Sequence, residues 1–138
     1  MDFDRFKKIN DEKMNQGELA GATAVATYRN LGCGDGYRIY LRVEDGVIRD
    51  ASYTTEGCGF GLVALAMITE LVKGKTLAEA EKITPEDIDR AFTFPDRRKN
   101  YPTSAWEAMH LALKAARTGS QPSAVSSQPG AEPVKADG

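Results

Sequence analysis

Between Phe60 and Val72 apolar side chains fall on nearly every face of a helix: Phe60, Leu62, Val63, Leu65, Met67, Ile68, Leu71 and Val72. Such a helix has to be covered on most sides, so the rest of the chain must be arranged to cover it. It is too short to span a bilayer, because Thr69 and Glu70 interrupt the run and a span needs about 20 mostly apolar residues. Gly74 supplies the left-handed residue that commonly closes a helix, and Lys73 sits near its negative end. On the other side, "TTEGCGFG" reads as the end of a strand followed by a tight turn, which puts Cys58 at the helix N-terminus. A thiolate is favoured where a helix presents positive partial charge. Gly57 and Gly59 let another group approach closely. A free cysteine is as often a small core residue, and the turn by itself leaves both readings of Cys58 open.

The segment before the turn supplies the sheet. From Gly36 to Glu44 the chain alternates, with Tyr37, Ile39, Leu41 and Val43 on one face and Arg38, Tyr40 and Arg42 on the other. Asp45-Gly46 then separates this strand from "VIRDASYTT", a strong short-hairpin signal, so 37–55 is expected to form an antiparallel pair. The alternation slips between Ile48 and Ala51, which predicts a bulge near Arg49-Asp50. Hairpin geometry brings the start of the first strand to the end of the second. Cys33 and Asp35 are thereby expected near Cys58, although 25 positions separate the two cysteines.

The remaining elements are shorter. Residues 2–15 read as a first helix capped by Asp2, with Phe3, Phe6 and Ile9, and Lys13 at its far end, on one stripe. "GATAVATYRN" is expected to be an edge strand or extended segment. Thr76 and Glu79 form a capping box for "TLAEAEKI", and Thr84 with Pro85 opens "TPEDIDRAF". The stretch from Phe92 to Pro102 is charged and proline-bounded and reads as irregular. A last helix is expected from Ser104, boxed by Glu107, to Arg117, with Trp106, Met109, Ala112 and Leu113 toward the core. The Ser/Pro/Gly/Ala-rich residues 118–138 read as a disordered tail after a domain spanning 1–117.

With 138 residues and a formal net charge of −2, one domain plus a tail is the natural expectation. Lys7-Lys8 and Arg97-Arg98-Lys99 are short and lack interleaved aromatics, so no nucleic-acid surface is expected. The charged start lacks a secretory apolar core and no segment could span a membrane, which predicts a cytoplasmic protein. In that compartment two cysteines are expected as thiols or ligands rather than a disulfide. Two thiols and a carboxylate at one hairpin end suit a soft transition metal such as iron or zinc.

The motifs "NLGCGD", "VEDGVIRDASYTTEGCG" and "MITELVKGKTLAEA" resemble, in order, those of the iron–sulfur cluster assembly scaffolds of the NifU N-terminal/IscU/SufU type. The resemblance runs from about Phe6 to Ala116. It implies an α+β fold, a small antiparallel sheet of about three strands with helices packed on one face and the cluster site at an exposed tip. Cys33, Asp35 and Cys58 match the family's first cysteine, aspartate and second cysteine. The third cysteine precedes the last helix in the family, and there "YPTSAWEA" has Tyr101. Asn100 stands where the family has a histidine or a basic residue, and "FPDRRKNY" replaces its chaperone-binding "LPPVK".

What the resemblance implies is a carrier rather than an enzyme. It would bind iron or a cluster, most readily [2Fe–2S], through Cys33, Asp35 and Cys58 and pass it on. A cysteine desulfurase and recipient apoproteins are the implied partners. Because a [2Fe–2S] cluster takes four thiolates or close substitutes, the missing ligand would come from a homodimer or from a partner's thiolate. Tyr101 and Asn100 are auxiliary candidates, although a phenol is a poor replacement for a thiolate. His110, the one histidine, lies inside the last helix and is expected to be a helix residue rather than a ligand. Two alternatives stand beside the scaffold: a zinc-dependent sulfur-transfer partner of a desulfurase, and a member that has lost metal chemistry and regulates.

Overall fold

Asp45 and Gly46 both have positive φ, 55° and 75°, the combination that matches a two-residue turn to the twist of the strands on either side. In the computed structural model, which describes residues 2–29, 36–56, 59–98 and 100–118, this turn joins β2 (Gly36–Glu44) to β3 (Val47–Thr55). The pairing passes from Arg42↔Asp50 to Val43↔Ile48 and leaves Arg49 as an extra residue, so the expected bulge is present. β1 (Ala24–Arg29) pairs antiparallel with β2 from Ala24↔Leu41 to Arg29↔Gly36 and completes a three-stranded sheet of order β1-β2-β3. The "GATAVATYRN" stretch therefore does contain an edge strand. The free side of β3 is partly covered, since Gln16 bridges to Tyr53 and Gly17 N–H donates to the Tyr53 carbonyl at 2.7 Å.

One face of this sheet carries Ala24, Ala26, Tyr28, Tyr37, Ile39, Leu41, Ala51 and Tyr53, all buried. Against it lie α2 (Gly59–Val72), mainly on β3, and α5 (Asn100–Thr118), on β1 and β2. α2 is buried from Gly61 to Thr69 without a break and again at Val72, as its all-round apolar pattern requires. Gly74, with φ 81°, follows it. α5 presents Ala105, Ala108 and Ala112, spaced three and four apart on one face, with Tyr101, Met109 and Leu113 beside them. Small residues on both β1 and α5 let helix and strand approach closely.

Two short helices cover α5 from outside. α3 (Leu77–Glu81) and α4 (Pro85–Ala91) have complete capping boxes, Thr76 with Glu79 and Thr84 with Asp87. The backbone and hydroxyl of Thr76 hold the Glu79 carboxyl below the usual carboxylate range. Trp106 is half-buried and its indole N–H donates to the Ile83 carbonyl at 2.8 Å, tying α5 to the link between these helices.

Several expectations need correction. Phe3 is 73 % exposed, because α1 (Phe3–Glu12) docks through Phe6 and Ile9 while its first residues overhang. Lys13 does not extend the apolar stripe. It is exposed and caps the helix in the left-handed conformation, φ 52°. The stretch 92–102 is not all irregular: Phe92 and Phe94 are core residues, 96–98 form a 3-10 turn, and α5 begins at Asn100. Ser104 is thus a buried residue inside α5, not its cap. Glu107 accepts the Tyr28 hydroxyl at 2.5 Å instead of closing a capping box. The misreading has one cause. Pro102 is the third residue of α5, in the first turn, where a missing N–H costs no helical bond. α5 also runs one residue past Arg117, to Thr118, and the rest of the expected tail lies outside the described residues. Among the described residues no helix is long and apolar enough to cross a membrane.

His110 lies against Trp106, ring centroids 4.5 Å apart, and its Nε2 is buried without a hydrogen-bond partner. Burial lowers its pKa from the ordinary 6.5; the nearby Glu81 carboxylate opposes that shift and Arg117 adds to it. A depressed pKa means that the unfolded chain binds the proton more readily, so stability falls as pH drops below 6.5 toward the folded value. Urea unfolding of the wild type between pH 7.5 and pH 5.5 is expected to show this loss, and His110→Gln should flatten it; equal pH slopes for the two proteins would remove His110 as its source.

Candidate functional site

The open end of the β2–β3 hairpin, opposite the Asp45-Gly46 turn, is where the chain leaves the sheet toward α2. Tyr37 pairs with Thr55, and one step farther out Glu56 N–H donates to the Gly36 carbonyl at 3.2 Å. Gly36 directly follows Asp35 in the chain, and Glu56 stands two residues before Cys58. The two chain segments that lead into the expected ligands are therefore hydrogen-bonded neighbours. Cys33, Asp35 and Cys58 themselves lie outside the described residues. Gly36 has a local role as well. A Cβ there would come within 3.3 Å of Arg29 Nη2, so the Arg29 guanidinium lies across the space that a side chain would take.

α2 begins at Gly59 directly beneath α1. A Cβ on Gly59 would fall 2.8 Å from Asn10 Oδ1 and 3.1 Å from Phe6 Cζ, so these two side-chain ends lie close against the Gly59 backbone and would have to give way to a larger residue. The close approach expected of the glycines around Cys58 is thus realised at Gly59. The Asn10 amide donates to the Phe6 carbonyl at 3.0 Å and reaches the Gly59 carbonyl at 3.4 Å.

Next in the chain, Phe60 is the centre of an aromatic ladder. Its ring is 4.9 Å from Phe6 and 5.9 Å from Tyr101, the latter stacked at 29°. Phe6 leads on to Phe92 at 6.3 Å. The Arg98 guanidinium lies over the Phe60 ring at 5.1 Å, and that of Arg5 over Phe92 at 5.5 Å. Such cation–π contacts contribute about 0.5–1 kcal/mol each at exposed sites. Within the basic stretch, Arg98 covers the first turn of α2. Lys99 lies outside the described residues.

Tyr101, in the first turn of α5, is 8 % exposed and packs its ring on Phe60, close to the start of α2. Asn100, the first residue of α5, is exposed. His110 is nine residues beyond Tyr101, about 13 Å up the axis at 1.5 Å per residue, and belongs to the Trp106 contact instead. Among the described residues no group of three or more histidine, cysteine or acidic side chains could hold a metal ion. Sequence reasoning missed Asn10, Phe6 and Arg98 as neighbours of this turn. Each comes from a segment remote in the chain, and the one local signal was the glycine at 59.

Comparison with known proteins places this architecture. Residues 4–120 match the model of the NifU-like N terminal domain. Two proteins of Archaeoglobus fulgidus, named iron–sulfur cluster assembly scaffold proteins IscU 1 and IscU 2, are each 34 % identical over 112 residues. The match covers 80 % of this chain and 71 % of theirs. The nitrogen fixation protein NifU of Cereibacter sphaeroides is 36 % identical over 102 residues, 73 % of this chain but 42 % of that protein, so the chain spans under half of that relative. Among solved structures, the N-terminal part of a NifU-like protein from Brucella abortus superposes with a TM-score of 0.64 at 18 % identity, covering 83 % of this chain and 92 % of that one. A putative scaffold protein for the SUF system from Fervidobacterium islandicum gives 0.60 at 23 % identity, covering 78 % and 93 %. At these identities the structural matches speak for the fold, a three-stranded antiparallel sheet with helices packed on it. The family match over most of the chain settles the lineage: this chain belongs to the NifU-like N-terminal domain family.

Proposed function

We propose that the chain is an iron–sulfur cluster assembly scaffold, in which Cys33, Asp35 and Cys58 take up iron and sulfide as a nascent cluster that is then handed to recipient proteins. The observation that carries this reading is at the open end of the hairpin. Within a family whose relatives are named as cluster scaffolds, Gly36 and Glu56 are hydrogen-bonded neighbours. One adjoins Asp35, and the other stands two residues before Cys58. A cysteine desulfurase is the natural sulfur donor, and a [2Fe–2S] cluster the simplest cargo for a site with few thiolates.

The donor set fits such a cargo only in part. A [2Fe–2S] cluster takes four thiolates or close substitutes, whereas the whole chain has two cysteines. Tyr101 is committed to the stack on Phe60, and a phenol with a pKa near 10 competes poorly with a thiolate. In this reading the remaining ligands come from a second chain, either another copy related by a twofold axis or the sulfur-delivering partner.

Anaerobic incubation of the full chain with ferrous iron and sulfide, followed by absorption spectroscopy and iron and sulfide analysis, tests the reading. Wild type is expected to take up iron and sulfide together with charge-transfer absorption, and the Cys33→Ala, Cys58→Ala double variant to take up neither. Equal uptake by the two proteins would overturn it. Zinc recovered with the purified protein, together with stimulated desulfurase turnover, would point instead to sulfur transfer. The role given to Tyr101 has its own check. Tyr101→Phe should retain wild-type iron uptake, while Tyr101→Ala should lose roughly 3 kcal/mol or more of unfolding free energy in urea, as expected for a buried aromatic. A Tyr101→Phe protein that no longer takes up iron would make the phenol a ligand.

A further inference from the structure

α2 and α5 pack on one face of the sheet, and the alternation of β2 sends Arg38, Tyr40 and Arg42 to the other. The end of that second face nearer the Asp45-Gly46 turn is covered by the chain itself as it passes from α1 to β1. There the Ser52 hydroxyl donates to the Gly17 carbonyl at 2.7 Å, and a Cβ on Gly21 would lie 3.6 Å from Arg42 Cδ. Tyr40 and Ser52, opposite one another on β2 and β3, are buried beneath this crossing although α2 and α5 lie on the far side.

Toward the open end of the hairpin the next row on the same face is Thr27, Arg38 and Thr54, one residue from each strand in register. All three are half-buried. The Arg38 Nε–H donates to Thr27 Oγ1 at 3.2 Å, which fixes the guanidinium over β1. Among the described residues its two Nη groups meet no carboxylate, and the Thr54 hydroxyl has no hydrogen-bond partner. Glu56, two positions beyond Thr54, is exposed and does not pair with Arg38. Arginines elsewhere are committed: Arg42 and Arg49 share Glu44, Arg90 pairs with Asp87, and Arg117 with Glu81.

A guanidinium partly withdrawn from water, held through Nε and left with its fork open, is arranged for a planar acceptor with two oxygens. A protein carboxylate fits this place better than nucleic acid. None of the three strands contains a lysine, and Tyr40, the one aromatic side chain on this face, is covered, so neither dense positive charge nor a stacking surface is offered. A row across an open sheet face also lacks the concavity that holds a small molecule.

We propose that the Thr27–Arg38–Thr54 row is a docking surface for an acidic segment of a partner protein, with an aspartate or glutamate carboxylate of that partner on the Arg38 fork. Arg38 and Thr54 each stand two residues from Gly36 and Glu56, the hydrogen-bonded pair that leads into Cys33, Asp35 and Cys58. A partner seated on the row is therefore beside the cargo, a consequence that rests on the scaffold reading. The docking itself depends on the row alone.

The probe is an N-acetylated, C-amidated hexaglutamate peptide, titrated at neutral pH and low salt into the full-length, nitrogen-15-labelled chain and followed by its backbone amide and arginine Nε–H shifts. The shifts are expected to centre on Thr27, Arg38 and Thr54 and to fade at high salt. Arg38→Gln should weaken binding at the row by roughly threefold or more, the scale of one exposed ion pair. Arg38→Lys should recover only part of it, because an ammonium lacks the fork. Arg97 is exposed and has no ion pair among the described residues. Arg97→Gln is thus the control for general attraction and should leave the response of the row unchanged.

Equal binding by wild type and Arg38→Gln, or shifts gathered at Lys7-Lys8 and Arg97-Arg98 instead of the row, overturns the proposal. So does tripolyphosphate seating on the row more tightly than the peptide, which would assign it to phosphate. Iron and sulfide uptake is measured separately on the same proteins, and Arg38→Gln is expected to match wild type. A wild type that takes up neither while the peptide still seats on the row would refute the scaffold reading and leave the docking surface standing.

Discussion

A helix that is apolar on all sides cannot end at the surface of a small protein, and the arrangement of the other elements follows from hiding α2. Its residues from Gly61 to Thr69 are all buried, and fully burying a Val, Leu, Ile or Met side chain is worth about 1.5–3 kcal/mol. One sheet covers one side of a helix. The other sides have to be closed by elements that approach from different directions, and α5, α1 and α4 do so here. Even the polar interruption of the helix is accommodated inside. The Thr69 hydroxyl donates to the Leu65 carbonyl at 2.7 Å and accepts the Asn15 amide, so a fully buried threonine has partners.

Fixing α2 in this way fixes where its first turn emerges. The β2–β3 hairpin brings the chain to that point, and the bulge at Arg49 together with the Asp45-Gly46 turn sets the register that places Gly36 opposite the start of the connection. The first turn is then gripped from three sides, by Asn10 and Phe6 of α1, by Tyr101 of α5 and by Arg98 of the turn before α5. The ladder Phe92–Phe6–Phe60–Tyr101 gives the start of α2 a rigid aromatic support.

Tyr101 gives the support its particular character in this chain. Where the family resemblance leads one to expect a third thiol, a buried ring continues the ladder and rigidifies the junction of α2 and α5. Its ring is stacked on Phe60 at 29° with centroids 5.9 Å apart, which holds it in the ladder.

Much of this architecture was legible in the residues. β2, the Asp45-Gly46 turn, the bulge and α2 were readable because each is a local pattern: alternation, a two-residue turn with positive φ, an extra residue, an unbroken apolar run. Thr76 announced its helix by a capping box with Glu79, a contact between residues three apart, and Thr84 announced the next one as a cap followed by Pro85. The start of α5 was misplaced because Pro102 is as compatible with a helix's first turn as with a loop, and only the burial of Tyr101 and Ser104 decides between them. The exposure of Phe3 was equally illegible, since amphipathic spacing says which face a residue is on and not how far the neighbouring element extends. For the candidate site, the residue types and the meeting of the two chain segments followed from sequence and hairpin geometry. Which side chains grip the turn beside Cys58 did not. Asn10, Arg98 and Tyr101 come to Gly59 and Phe60 from 38 to 49 positions away in the chain, and contacts of that range are selected by how whole elements pack, which no local pattern encodes.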